Sequence, residues 1–174
     1  MEKVAEFSKV SLDQYLADCL ASYNFELEDE ISRDEVISEL TKNWNELKLP
    51  CRSTKGSAGY DFFLPKDIQV TAHPKVFYTG IRCRIEPGWM LMCVPRSGLG
   101  FKRGMRLRNT VGIIDFDYFN ALNEGHIAAC ISADSSFDLK AGDRFMQGIF
   151  VPYGITVNDE ADSERSGGFG STGN

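Results

Sequence analysis

After Pro50 the chain becomes a succession of short apolar stretches: GYDFFL, KVFYTGIRCRI, WMLMCV, HIAACIS and RFMQGIFVPYGITV, each bounded by Gly, Pro, Asp or Asn. Runs this short, punctuated this often, predict a many-stranded β structure. EPGW and KAGD read as tight turns between strands. No strand pattern alternates with a long helical one, so a parallel βαβ sheet is not expected. The expected fold is all-β, an antiparallel barrel or jelly roll.

The first 48 residues have a different periodicity. Ser11 is followed three residues on by Gln14, and Ser32 by Glu35, both in the pattern that caps the free N–H groups of a first helical turn. Behind Ser11, Leu12, Tyr15, Leu16, Cys19 and Leu20 recur at helical spacing; behind Ser32 the set is Val36, Ile37, Leu40, Trp44 and Leu47. Two helices joined by the acidic ELEDE cannot bury both stripes alone. They are expected to pack on the β body, on a neighbouring subunit or on a protein partner. The expected organisation is a helical N-terminal extension over 1–48, a β domain over 49–157 and a glycine-rich C-terminal arm over 158–174.

A formal charge of −6 argues against a protein that coats nucleic acid or an anionic membrane through a general basic field. Any phosphate must be met by a local cluster of donors. The basic run FKRGMRLRN reads as a solvated face with one buried structural arginine. Five cysteines are scattered without a C-x-x-C pair, and only His73 and His126 could join them, so reduced and mostly buried thiols are expected rather than zinc or disulfides. Neither a leader nor an apolar run long enough for a membrane span is evident, which makes the cytoplasm the expected location.

Five short segments in the second part could carry chemistry: SAGYD at 57–61, PRSGLGFK at 95–102, NTVGIIDFDY at 109–118, GDRFMQ at 142–147 and GGFGSTG at 167–173. Singly each reads as a turn leading into a strand. By composition alone, the last is either a flexible tail or an arm whose backbone N–H groups close over phosphate. Together, in this order and spacing, they resemble the five motifs of the trimeric dUTPase family, the deoxyuridine triphosphate nucleotidohydrolases. The likeness runs from Leu49 to the end and omits the helical segment.

That resemblance implies a jelly-roll subunit in a threefold homotrimer whose sites are shared between subunits. It implies hydrolysis of dUTP to dUMP and pyrophosphate with Mg²⁺, which the substrate phosphates mainly hold. Asp115 matches the catalytic aspartate that would activate water for attack on the α-phosphorus, and Asp117 is the nearby competitor, read as a solvent-facing turn carboxylate. Tyr118 matches the tyrosine that packs on the deoxyribose and leaves no room for a 2′-hydroxyl. Asn109, Gly112 and Ile114 fall in the nucleoside pocket. Arg96, Ser97 and Gly98 match the phosphate-binding motif, Gln147 a further phosphate donor and Arg165 a clamp on the γ end. Phe169 would lie over the uracil as a lid, with Gly170, Ser171 and Thr172 reaching the β- and γ-phosphates. Asp61 is either a brace of the site loops or a second-shell partner of Mg²⁺-bound water.

Two departures matter. After Tyr118 the sequence FNALNEGHI carries extra residues resembling a bacterial and phage subgroup, which lengthens the loop beside the pocket. Only Ser166 separates Arg165 from the double glycine. Two other functions share the scaffold: the dCTP deaminase branch, against which SAGYD and the terminal arm stand, and a regulatory protein that engages a partner through its N-terminal helices.

Overall fold

The computed structural model describes residues 2–23, 32–163, 165 and 167. Phe169, Gly170, Ser171 and Thr172, like the ELEDE connection, lie outside the described residues.

Both helices form where their caps predict. Helix α1 spans Leu12–Ala21, with the Ser11 hydroxyl accepting from the Gln14 N–H. Helix α2 spans Arg33–Glu46 and begins with a complete reciprocal cap between Ser32 and Glu35. Their stripes turn toward each other: Tyr15, Val36 and Leu40 form a small core with Val10, flanked by Leu16, Cys19 and Trp44. Neither stripe therefore remains free to meet a partner along its whole length.

A strand precedes them that the sequence does not announce. β1 (Ala5–Lys9) pairs antiparallel with β5 (Ile81–Ile85), from Ala5 opposite Ile85 to Lys9 opposite Ile81. AEFSK offers a single aromatic residue, Phe7, and its stability comes from elsewhere in the chain. The Phe7 ring meets Phe62 edge-on at 5.6 Å and lies 5.4 Å from Tyr60 and 5.7 Å from Phe150. Aromatic pairs in this geometry contribute about 0.5–1.5 kcal/mol each beyond their burial.

The body carries β2 (Tyr60–Phe63), β3 (Ile68–Val70), β4 (Lys75–Tyr78), β6 (Trp89–Pro95), β7 (Arg106–Leu107), β8 (Gly112–Ile114), β9 (Ala128–Ser132), β10 (Phe137–Leu139) and β11 (Arg144–Pro152). Every pairing is antiparallel, in sheets ordered β2-β11-β6-β8, β4-β9-β7, β10-β3 and β1-β5. KVFYTGIRCRI is thus two strands, not one, divided at Thr79 and Gly80. The sheets are open, and among the described residues no barrel closes. The core lies between them, with Phe62, Leu91, Ile127, Ile131 and Phe145 almost wholly enclosed.

A third helix, α3 (Ser97–Arg103), interrupts the β pattern, so the chain is mostly β rather than all-β. Two glycines in SGLGFKR mask it from a propensity reading. Lys102, Arg103, Arg106 and Arg108 are all exposed, and the expected buried arginine of that run is not there. Arg106 instead pairs with Asp134 at the surface, at 2.7 Å. All five thiols are free, with Cys83 and Cys93 buried, Cys51 exposed and the other two half-buried.

Candidate active site

Asp61 sits on β2 with its side chain turned inward, and both of its oxygens are taken. Arg96 Nε donates to one at 3.0 Å; Arg144 Nη1, at 3.2 Å, and the Ser53 hydroxyl, at 2.9 Å, donate to the other. A buried carboxylate needs such partners to stay ionised. The cluster ties three separate segments together: the loop before β2, the end of β6 and the start of β11. It borders a polar cavity of about 300 Å³ lined by Ser57, Gly59, Arg96, Ser97 and Gln147. Gly98 follows at the start of α3, with nothing within 4 Å of the place a Cβ would occupy. Arg96, Ser97 and Gln147 are therefore brought together, and Asp61 holds the Arg96 side chain among them. Arg144 and Ser53 were not among the expected site residues, although Arg144 lies inside the GDRFMQ motif.

A second cavity, of about 310 Å³, is mainly apolar and includes Cys93, Asn109, Gly112, Ile114, Cys130 and Met146 in its lining. The segment 108–111 carries the chain from β7, which belongs to the three-stranded sheet, to β8 in the four-stranded one. At its tip Thr110 has φ +65°. A β-branched residue in the left-handed region is strained, and such strain collects where the backbone itself must present groups. The Val111 N–H closes a tight turn on the Asn109 carbonyl at 2.7 Å. Asn109 lines this cavity beside the turn.

Met146 and Gln147 are consecutive on β11, yet Met146 lines the apolar cavity and Gln147 the polar one. Neighbouring residues of a strand point to opposite faces. Among the described residues none lines both cavities.

Asp115 leaves β8 and opens a 3-10 helix over Phe116–Asn120. Its side chain is about half exposed, and Arg165 reaches it through Nη2 at 2.5 Å while donating through Nε to Asp117 at 2.8 Å. The expectation that Asp117 faces only solvent is therefore corrected: it shares a guanidinium with Asp115. The same guanidinium lies 5.7 Å from the centre of the Tyr118 ring. Arg165, expected near the phosphate end, here neutralises the two carboxylates.

Tyr118 is buried and its hydroxyl is fixed from two sides. It donates to the His126 carbonyl at 3.0 Å and accepts from Asn123 Nδ2 at 3.0 Å. Burial raises the phenol pKa, and the Asn123 hydrogen bond offsets part of that rise. The inserted loop folds back through Glu124 at φ +56° and Gly125 at φ +70°. Glu124 accepts from the Ser11 hydroxyl at 2.6 Å and from the Ser11 N–H at 2.9 Å, and pairs with Arg82 at 3.5 Å. Burial works against its ionisation, but those donors overcome it and hold the carboxyl below the ordinary range. His126 and Glu124 were missed as site neighbours because their partners Asp18 and Ser11 lie far away in sequence, and Asn123 because nothing in the inserted loop signals that it turns back onto Tyr118.

Among the described residues no group of three or more His, Cys, Asp or Glu side chains could by itself hold a metal ion. No described helix is long and apolar enough to cross a membrane.

The dUTPase family model matches residues 45–173. The deoxyuridine 5'-triphosphate nucleotidohydrolase of Lactococcus lactis subsp. lactis (strain IL1403) is 37% identical over 133 residues, covering 73% of this chain and 89% of that protein. The enzyme of the same name from Actinobacillus pleuropneumoniae serotype 5b (strain L20) is 40% identical over 139 residues, covering 74% and 89%. The crystal structure of dUTPase from Streptococcus mutans is similar at 37% identity and a TM-score of 0.57, over 62% of this chain and 88% of that one. The matches, the fold and the five motifs agree: the chain belongs to the dUTPase family.

Proposed function

We propose that this protein hydrolyses dUTP to dUMP and pyrophosphate, limiting uracil in DNA and supplying dUMP for thymidylate synthesis. The observation that carries the reading is the juxtaposition of Asp115 and Tyr118 at the end of the β8 strand that walls the Asn109–Gly112–Ile114 cavity. A nucleoside seated there has a carboxylate at the sugar end, where the α-phosphate follows. Asp115 is the base that takes a proton from the attacking water, an assistance typically worth about 10²–10⁴-fold. The Tyr118 ring stands against C2′ and excludes a ribose hydroxyl by contact and desolvation. Asn109 and the turn around Thr110 meet the base edge, with Gly112 and Ile114 as its walls.

Arg96, Ser97, Gly98 and Gln147 receive the phosphates. The two cavities share no residue and are reached from opposite sides of β11, so one chain cannot close both on one nucleotide. This supports a homotrimer with each site built from more than one copy. It also supports a jelly-roll subunit that completes its pairing on assembly. Mg²⁺ fits such a site as an ion carried by the phosphates, since Asp61 is already engaged by two arginines and touches it at most through water. When bound, Mg²⁺ withdraws charge from the departing pyrophosphate. Arg165 releases Asp115 and Asp117 when the triphosphate offers a stronger anion, and Phe169, Gly170, Ser171 and Thr172 in the arm over 158–174 then cover the nucleotide. The β domain of 49–157 carries the chemistry, the N-terminal extension of 1–48 docks on it through β1 and α1, and the enzyme works in the cytoplasm.

The test is pyrophosphate release from dUTP with Mg²⁺ by the intact chain, by Asp115→Asn and by a chain ending at Arg165. Asp115→Asn should retain nucleotide binding and lose about 10²-fold or more in kcat; the truncation should lower kcat with a smaller effect on KM. An intact chain that releases ammonia from dCTP and no pyrophosphate from dUTP would place it in the deaminase branch instead. Mixing Asp115→Asn with Gln147→Ala subunits should restore part of the activity if sites are shared.

A further inference from the structure

His126 is enclosed completely, and all of its polar atoms are engaged. Its Nε2 accepts from the Gly80 N–H at 2.8 Å, which puts the ring proton on Nδ1. Nδ1–H therefore donates to Asp18 Oδ2, at 2.6 Å. Asp18 lies on α1, outside the region that matches the family, and is itself oriented by Gln14 Nε2 at 2.9 Å. On its backbone side, His126 donates N–H to the Asn123 carbonyl at 3.0 Å and accepts from the Tyr118 hydroxyl at 3.0 Å. Asn123 in turn donates to that same hydroxyl. The rings of Tyr15 and Tyr78 flank the imidazole, centred 6.0 and 5.1 Å away.

Asp18 on the N-terminal helix thus fixes the His126 side chain, and the backbone carbonyl of the same residue, His126, holds the Tyr118 hydroxyl. We propose that Asp18 is a positioning residue of the nucleoside site, acting through His126 to hold the Tyr118 ring where it excludes ribose. This rests on the dUTP reading given above. The extension is then a part of the active site's scaffold, and what it contributes is discrimination of the sugar. A ring free to tilt would open room beside C2′ and would still bind the smaller deoxyribose. The loss should therefore appear in the preference for dUTP over UTP before it appears in turnover of dUTP.

The experiment measures kcat/KM for dUTP and for UTP in the full-length protein, in Asp18→Ser and in Asp18→Asn, with thermal melting of each. Serine is too short to reach Nδ1 and leaves the buried ring N–H without its acceptor; asparagine keeps an acceptor oxygen at the same place without the charge. Leaving a buried donor without its partner predicts a fall of about fivefold or more in the dUTP:UTP ratio for Asp18→Ser. Asp18→Asn should restore the ratio to within about twofold of the parent, because the ring N–H needs an acceptor and no charge. The ratio is independent of the fraction of active enzyme, so a merely structural role would leave it unchanged in both variants. An unchanged ratio in Asp18→Ser, or a Ser variant that does not fold at all, overturns the proposal. A parent protein inactive on dUTP would instead overturn the function on which it rests.

Discussion

Gly125→Ala should be among the most damaging single methyl additions in the chain, and the structure says by how much. Gly125 stands at φ +70°, where an L-residue costs about 1–2 kcal/mol. A Cβ there would lie 2.6 Å from the Tyr118 carbonyl oxygen, 2.8 Å from Phe119 Cα and 3.1 Å from the Tyr118 carbonyl carbon. All three are backbone atoms, so no side chain can rotate away and the 3-10 helix must move; overpacking of this kind costs about 1–3 kcal/mol more. The smaller unfolded-state entropy of alanine returns about 0.4–1 kcal/mol. The net loss is about 2–4 kcal/mol. Gly88 supplies the control, because it has φ +85° and nothing within 4 Å of a built Cβ. Gly88→Ala should cost only the conformational term, about 1 kcal/mol or less. Urea unfolding of both variants at one protein concentration isolates the contact with Tyr118 and Phe119 as the difference between them. Equal losses would refute the close approach of the inserted loop to the 3-10 helix.

The remaining expectations concern protons and thiols. Burial lowers the pKa of His126, and the Asp18 hydrogen bond only partly opposes this. The unfolded chain then binds the proton first: stability is complete above about pH 6.5 and falls as the pH drops through that value. The slope of the urea midpoint between about pH 7.5 and 5.5 should flatten in His126→Gln, and an unchanged slope would exclude His126 as its source. Burial also pushes the Cys93 thiol up to about 12, and Cys83 upward as well, whereas Cys51 is exposed. With Ellman's reagent at about pH 8, Cys51 should react first and Cys83 and Cys93 only on unfolding. A Cys51→Ser protein that kept the fast phase would contradict this burial pattern.

Local signals were legible and distant ones were not. The two N-terminal helices announce themselves because a cap and the donor it satisfies lie three residues apart. The turns at Gly88 and Gly142 are equally local. β1 is silent because AEFSK owes its strand geometry to β5 and its burial to aromatic residues far along the chain. The motif residues Arg96, Ser97, Gln147, Asn109 and Asp115 are picked out in the sequence by order and spacing, and the fold brings Arg96, Ser97 and Gln147 to one cavity and Asn109 to the other. Their supports are not picked out: Asp18 and His126 are 108 positions apart, and Ser11 and Glu124 are 113. Asp61 shows both sides. Its motif marks it as a site residue, but only the fold reveals that Arg96 and Arg144 together consume its charge.

The pairing of β1 with β5 also sets a timetable for synthesis. Ala5 must wait for Ile85, some 80 residues later. At about 5–20 residues per second, that delay is roughly 4–16 s, during which the strand's backbone groups have no ladder and Phe150, one of the three aromatic partners of Phe7, does not yet exist. The two capped helices can form in that interval, since their contacts are local. The first strand made docks only once four more strands have been synthesised, and the nascent helical pair hangs from an unpaired strand until β5 exists.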